Sequence, residues 1–191
     1  MVLEVMPKLI TTHLVDMVNE KNHISITAIR RLINFIRLFR VLIELKPEVS
    51  KTIDARLKTF IDHPDKRVKD HTPALGDLLA FSAVSDSVSL GDLLNFYLDE
   101  QLDRQAFWII QKIPELDHTD EKFKGKEIVL EESRSEVCFK TGLVGFQITM
   151  IFYTLCQVIE KKFGRNWKNI EASLDSNFGC LSLDEENDLQ K

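Results

Sequence analysis

The chain has little of what defines a catalytic, metal-binding or secreted protein. Its 191 residues include only 3 cysteines, and Cys138, Cys156 and Cys180 are widely spaced with no C-x-x-C pair. Such cysteines predict neither a disulfide framework nor a zinc cluster, and they favour a reducing, cytoplasmic compartment. No His-Glu-x-x-His, Gly-x-Ser-x-Gly, phosphate loop or dinucleotide fingerprint occurs. The sequence therefore predicts no metal ion and no cofactor.

Long uninterrupted apolar runs are also missing. Glu4, Lys8 and Asp16 interrupt the first twenty residues, so no secretory signal is predicted. The most apolar stretch, residues 143–159, is diluted by threonine and glutamine. It is also shorter than the roughly 20 apolar residues that a membrane span needs. We interpret it as a buried core helix and predict no transmembrane segment.

Glycine and proline are scarce, with 7 and 5 residues, while 44% of the chain is apolar. Apolar residues recur at three- and four-residue steps, which is the spacing of helices with a buried face. The sequence predicts an all-α protein, an irregular helical bundle or repeat-like helical stack of five to seven helices. We expect a helical domain over residues 1–163, with a charged connecting segment at about 115–136. An acidic, flexible C-terminal tail is expected over residues 164–191.

The predicted helix over residues 26–45 has more apolar residues than one face can hold, so we expect it to be buried on most sides. Its polar side chains fall in one sector of about 120°. Ser25 or Thr27 is expected to cap its start. Pro47 ends it and begins the next helix, since a proline disfavours the helical conformation of the residue before it.

A short string, Leu-Gly-Asp-Leu-Leu, occurs twice, at residues 75–79 and 90–94. Leucines at this spacing are either the buried seam of two helices or a pair of exposed docking motifs. We favour core packing, because each copy follows a helix-start signal: Thr72 with Pro73, and Ser89 with Asp92. The glycine of each copy is interpreted as a point where a neighbouring helix comes close.

The second half of the chain is less regular. A helix is expected from Leu90 to Ile113 with a bend or break near Asp103. Residues 127–130 are predicted as a short strand within the charged connecting segment. Helical spacing returns from Val137 to Phe163.

Three Asp-His neighbours fall in predicted turns: Asp62/His63, Asp70/His71 and Asp117/His118. Adjacent residues do not point the same way on a helix, so adjacency alone does not make a catalytic dyad. Turn chemistry explains them best, because aspartate bonds readily to nearby backbone groups. An alternative function remains open, a helical enzyme or enzyme accessory that gathers His63, His71 or His118 with carboxylates.

Charge is distributed unevenly along the chain. Residues 1–71 hold 13 Lys/Arg against 9 Asp/Glu, a balance of +4, whereas residues 72–191 hold 12 against 21, a balance of −9. The basic half favours an acidic protein partner. We therefore expect a non-enzymatic intracellular protein-interaction or scaffold module, either whole or part of a larger protein. The expected contact residues are Arg30, Arg37, Arg40, Arg56, Lys58 and Trp108.

A nucleic-acid-binding helical bundle is a further alternative. It would need a more basic domain and exposed aromatic rings on which bases stack. The sequence pI is about 5.6, and Phe35, Phe39 and Phe60 fall in apolar helical faces. Nucleic acid is therefore disfavoured as a partner.

Overall fold

A computed structural model describes residues 1–19, 25–112, 116 and 121–163. This part of the chain contains six helices and no β-strand, so the predicted all-α class is confirmed. The predicted tail, 164–191, lies outside the described residues. The helices are α1 (Val2–Asn19), α2 (Ile26–Glu44), α3 (Pro47–Asp62), α4 (Leu75–Val84), α5 (Leu90–Lys112) and α6 (Glu127–Phe163), with 3₁₀ turns at Pro64–Lys66 and Glu121–Phe123.

Three of the predicted helix starts are confirmed by their local bonds. The Ser25 hydroxyl accepts a hydrogen bond from the backbone N–H of Ala28 at 3.1 Å, which caps α2. Pro47 occupies the first turn of α3. Ser89 and Asp92 form a reciprocal capping box: the Asp92 N–H donates to the Ser89 hydroxyl at 3.1 Å, and the Ser89 N–H donates to the Asp92 carboxylate at 2.9 Å.

The predicted start at Thr72 and Pro73 is wrong. The α4 helix begins at Leu75 after Ala74, and Ala74 makes no side-chain cap bond. The hydroxyl of Thr72 instead donates to the carbonyl of Lys66 at 2.9 Å. This bond closes the connection between α3 and α4, and so Thr72 and Pro73 belong to that connection and not to the helix.

One main hydrophobic core is shared by all six helices. The α1 helix packs against both α2 and α4, while α5 packs against α6. Each of the six helices contributes fully buried side chains. Burial of one aliphatic or aromatic side chain stabilises the fold by about 1.5–3 kcal/mol. The largest of them are Phe39, Phe60, Phe81, Phe152, Ile10, Leu14, Leu32, Ile36, Ile53, Leu57, Leu79 and Leu93.

The expectation that α2 is buried on most sides is confirmed only in part. Its neighbours cover the face that carries Leu32, Ile36 and Phe39, but Leu38 is 48% exposed and Val41 is also exposed. Helices α1, α3 and α4 all contact α2, and the exposed Leu38 and Val41 share one sector with Arg31 and Asn34. The solvent-exposed sector of α2 is therefore not made of polar residues alone.

The repeated leucines belong to the core, as predicted. Leu78, Leu79, Leu90 and Leu93 are buried, and the others are half-buried. The glycine prediction holds for only one copy. A Cβ atom added to Gly76 would lie 2.8 Å from Cγ2 of Thr11 on α1, whereas one added to Gly91 would meet only the Ser89 hydroxyl, at 3.6 Å.

Two predictions about α5 and α6 are corrected. The α5 helix continues through Asp103 without a break. Residues 127–130, predicted as a strand, form the first turn of α6, which therefore begins ten residues before Val137. Leu130 is buried there with Leu116 and Phe123 in a small second cluster, and the predicted open connection is thus partly packed.

The α6 helix is 37 residues long, which is about 55 Å. The prediction of a buried core helix over residues 143–159 holds for one face only, because Phe152 and Leu155 are buried whereas Leu143 and Met150 are 54% and 51% exposed. Residues 127–161 are long and apolar enough to cross a membrane by length and composition, and 22% of their most apolar window is buried within the protein.

Candidate functional site

An open groove runs between α3 and α4 beside the segment that connects them. Its volume is about 560 Å³. Helix α3 forms one wall, the connection forms the end, and the first two turns of α4 form the other wall. The lining residues are Thr52, Ala55, Arg56, Thr59, Phe60, Lys66, His71, Thr72, Pro73, Ala74, Asp77, Leu78 and Phe81.

The floor of the groove is apolar and its rim is basic. Phe60, Leu78 and Phe81 are buried beneath the groove, and the exposed Ala55, Pro73 and Ala74 add apolar surface to its lining. The guanidinium of Arg56 lies 5.9 Å from the centre of the Phe81 ring, a cation–π arrangement that holds this cation against the floor. Lys66 stands at the end of the groove with an exposed ion pair to Asp65 at 3.7 Å.

Arg67 fixes the connection to the end of α3. Its Nε donates to the carbonyl of Phe60 at 2.7 Å, and its Nη2 donates to the carbonyl of Ile61 at 2.6 Å. These carbonyls belong to the last turn of α3 and lack a partner within the helix, so the arginine caps it. The guanidinium also lies 4.6 Å from the ring centre of Phe96 on α5.

Arg104 of α5 fixes the other side of the connection. Its Nη2 donates to the carbonyl of Arg67 at 2.6 Å and to that of Thr72 at 2.7 Å, while its Nε pairs with Glu100 at 2.6 Å. The side chains of Arg104 and Glu100 are 20% and 11% exposed. Because charge-assisted hydrogen bonds at low exposure are strong, the connection has a fixed shape and the groove is preformed.

Asp77 is the acidic residue in the lining of the groove. It lies in the first turn of α4, where the helix dipole favours a negative charge. Burial raises the pKa of its carboxyl, and the nearby cations Lys8 and Arg56 lower it by a smaller amount. The net shift is upward, which shows that desolvation outweighs the neighbouring positive charges.

The alternative enzyme hypothesis depends on three histidines. His71 lines the groove, His63 is exposed at the end of α3, and His118 lies outside the described residues. Asp70 and His71 lie in a turn of the connection, as the turn interpretation predicted, whereas Asp62 is the last residue of α3. Within residues 1–19, 25–112, 116 and 121–163, no group of three or more His, Cys, Asp or Glu side chains is placed to hold a metal ion.

The structure separates the predicted contact residues. Arg56 lines the groove, whereas Lys58, two positions further along α3, points about 200° away around the helix and is exposed elsewhere. Arg30 and Arg37 on α2 are half-buried, and each already interacts within the protein. The predicted residues therefore do not form one surface.

Arg40, one of the predicted contact residues, makes several bonds within the protein. Its Nη1 donates to the carbonyl of Val84 at 2.7 Å, its Nη2 pairs with Asp86 at 2.8 Å, and its Nε pairs with Glu44 at 3.3 Å. Only 12% of the side chain is exposed. Burial acts to lower the pKa of this arginine, but its two acidic partners outweigh burial and raise it. Arg40 thus ties α2 to the end of α4.

Trp108 lies in a different place from the groove. It is 44% exposed and lines a cleft of about 280 Å³ between α5 and α6. Gln105 on the same helix donates to the carbonyl of Cys138 at 2.6 Å and to the hydroxyl of Thr141 at 3.2 Å. Gly142 and Gly145 lie directly against Gln105 and Gln101, so the helices approach closely here.

Sequence reasoning missed most of the groove. Lys66 lies in the basic half of the chain, but Phe60, Thr59 and Asp77 gave no signal as site residues because each fits an ordinary helical pattern. The available signal was the polar connection of residues 63–74 between two amphipathic helices. Comparison of the chain with protein-family models, curated proteins and solved structures finds no match.

Proposed function

We propose that this chain is a non-enzymatic protein-interaction or scaffold module and that its binding site is the groove between α3 and α4. The observation that carries this proposal is the combination of an apolar floor, a basic rim and a connection fixed by two arginines. A preformed groove binds a peptide without first ordering its own loop, which reduces the entropy cost of binding.

The chemistry of the groove defines the proposed partner. The exposed Ala55, Pro73 and Ala74, above the buried side chains of the floor, offer a surface for a large apolar side chain. Arg56 and Lys66 offer charges for an acidic one. We therefore propose an acidic peptide segment of an intracellular protein, with at least one large apolar side chain, as the partner.

Selection from a phage-displayed library of random 12-residue peptides against the full chain tests this proposal. We expect enriched peptides to combine Asp or Glu with Leu, Ile or Phe. A synthetic enriched peptide, measured by fluorescence anisotropy, should bind the R56E/K66E double variant at least about tenfold more weakly, a loss of about 1.4 kcal/mol.

The matched control is the K51E/K58E double variant. It changes the net charge by the same amount at two exposed positions of α3 that do not line the groove. We expect its affinity to stay within about twofold of the unaltered chain at physiological salt, since screened surface charges contribute little. Equal losses in both double variants would show a general charge effect and would contradict the groove as the site.

A further inference from the structure

A continuous exposed stripe runs along α6 on the side away from the main core. Its residues recur at three- and four-residue steps, so they share one helical face. Phe139, Leu143 and Met150, which are 79%, 54% and 51% exposed, form its apolar centre. The remaining stripe residues are Glu132, Glu136, Gln147, Thr154, Gln157 and Lys161, all exposed.

Apart from Gln147, the stripe residues are placed symmetrically about the point midway between Phe146 and Gln147. When a second copy of α6 is laid antiparallel on this face, Leu143 of one copy lies opposite Met150 of the other. In the same register Glu132 lies opposite Lys161, and Glu136 lies opposite Gln157. Phe139 lies opposite Thr154, whose methyl group can contact the ring. Each of these residues thus meets a different residue of the second copy, as a two-fold interface requires.

Charge selects the antiparallel arrangement. Two parallel copies would place Glu132 against Glu132 and Lys161 against Lys161, which is repulsive at both ends. The antiparallel pair places an acid against a base at each end, about 43 Å apart along the helix. We infer that the stripe is a homodimer interface in which two α6 helices pack antiparallel about a two-fold axis beside Gln147.

A bilayer fits this face less well than a second copy. Glu132 and Glu136 would be repelled by anionic lipid headgroups, and Lys161 is the one basic residue among the nine that form the stripe. The exposed lysines that precede α6, at positions 122, 124 and 126, lie outside the stripe. Within the most apolar part, Gln147, Thr154 and Gln157 would be placed in hydrocarbon with no partner for their polar groups. A second helix supplies such partners.

A charge exchange tests the register directly. The E132K variant places lysine opposite Lys161 of the second copy, and K161E places glutamate opposite Glu132. Each alone should weaken dimerisation at least about threefold, and the E132K/K161E double variant should restore it, because both pairs are re-formed with reversed sign. Sedimentation velocity over about 1 to 300 µM of the full chain measures the association.

An apolar replacement and its control complete the experiment. L143E should weaken dimerisation at least about tenfold. L38E changes a leucine of similar exposure, 48%, on α2 and should leave dimerisation unchanged. D16K on α1 is the corresponding control for a charge reversal, and circular dichroism confirms that each variant retains its helical content.

Three results would overturn the inference. The first is a chain that remains monomeric over the whole concentration range. The second is a dimer that E132K and K161E do not weaken, or that the double variant does not restore. The third is a monomer that co-sediments with vesicles of phosphatidylcholine and phosphatidylserine in a manner that L143E abolishes, which would assign the stripe to lipid.

Discussion

Asp77 gives the groove a titratable group whose charged form the fold disfavours. Its carboxyl is partly buried at the start of α4, and this burial raises its pKa above the ordinary value despite the cations Lys8 and Arg56. The folded protein therefore binds this proton more tightly than the unfolded chain does. The contribution of Asp77 to stability consequently falls as pH rises from its unfolded pKa through its raised folded pKa.

The D77N variant should remove this dependence. We expect the free energy of unfolding of the unaltered chain, minus that of D77N, to decrease as pH rises through that window. Urea unfolding at a series of pH values from about 3 to 7 measures the difference. D99N, a change at an exposed carboxylate of α5, is the control. A difference that increases with pH would show that the cations, and not burial, dominate at Asp77.

Cys156 is predicted to be chemically inert in the folded protein. Burial, together with the negative charge of Glu160, raises the pKa of its thiol to about 12. At pH 8 only about one thiol in 10⁴ would be ionised, and the thiolate is the reactive form. Mass spectrometry after iodoacetamide treatment should find Cys156 unmodified in the native chain and modified in urea. Rapid labelling of the native chain at pH 8 would contradict this assignment.

Arginines show what a sequence can and cannot reveal at the scale of a residue. Arg40, Arg67 and Arg104 have the same charge in the sequence as Arg56, but their donors are occupied by backbone carbonyls that are up to 44 residues away. The sequence shows which residues carry guanidinium donors, but it does not show which distant backbone carbonyls accept their hydrogen bonds. Counting charges therefore predicted a basic surface in residues 1–71, whereas two arginines of that half, Arg40 and Arg67, connect segments of the fold.

The two Leu-Gly-Asp-Leu-Leu strings are alike in sequence but not in surroundings. Gly76 of α4 faces Thr11 of α1, whose Cγ2 would lie 2.8 Å from an added Cβ atom. Thr11 has little freedom to move, because its hydroxyl donates to the carbonyl of Pro7 at 2.9 Å and its side chain is β-branched. Gly91 of α5 is exposed and has room for a methyl group.

Alanine at these two glycines should therefore have opposite effects. G76A is expected to destabilise the protein by about 1–3 kcal/mol, because the added methyl group overpacks the contact between α1 and α4. G91A should be neutral or stabilising by up to about 1 kcal/mol, since alanine favours the helix. Urea unfolding of both variants measures the difference.

A second substitution separates overpacking from other causes. T11S keeps the hydroxyl at position 11 and removes the Cγ2 atom that the methyl group added by G76A would meet. The G76A/T11S double variant should thus recover most of the stability that G76A loses, after correction for T11S alone. Additive losses in the double variant would show that the close approach of α1 is not the reason for this glycine.

At the scale of an element, predictions succeeded where the signal is local. Ser25, Pro47 and the Ser89–Asp92 pair act within three residues of their own helix starts, so a sequence contains everything needed. The predicted helix start at Thr72 was wrong because the Thr72 hydroxyl bonds to Lys66 across the connection. The strand predicted at residues 127–130 was wrong because Leu130 packs against Leu116 and Phe123, and the charged composition of the segment gives no sign of these contacts.

At the scale of the whole molecule, the described part of the chain has two hydrophobic clusters of very different size. The main core includes residues of all six helices, and the second contains Leu116, Phe123 and Leu130, with Val137 and Cys138 packed against it. The first turns of α6 depend on the small cluster, while its second half belongs to the main core. Local opening of residues 127–137 should therefore require less free energy than global unfolding.

Two core truncations should show this difference. F152A, at a fully buried ring, is expected to lower the global free energy of unfolding by about 3–5 kcal/mol. L130A should accelerate amide hydrogen exchange in residues 127–137 and leave the global unfolding midpoint nearly unchanged. Exchange followed by mass spectrometry, together with urea unfolding, measures both. Equal effects of the two variants on global unfolding would indicate a single cooperative unit.

Fold class and helix number could be predicted because apolar spacing recurs along the whole chain. The groove could not, because it joins residues 52–60 of α3 with residues 66–81 and is shaped by Arg104, which follows much later in the sequence. Exposure on α2 and α6 was also missed, since apolar spacing shows which residues can be buried and not which neighbours are present to bury them.

The bonds from Arg104 to the connection have a consequence for any attempt to isolate a minimal binding fragment. A peptide of residues 47–84 would contain every residue that lines the groove but would lack Arg104 and the Phe96 ring against which Arg67 rests. Its connection would lose the contacts that set its shape. A fragment that keeps the groove in this shape must therefore include α5, or a covalent cross-link that replaces its contacts.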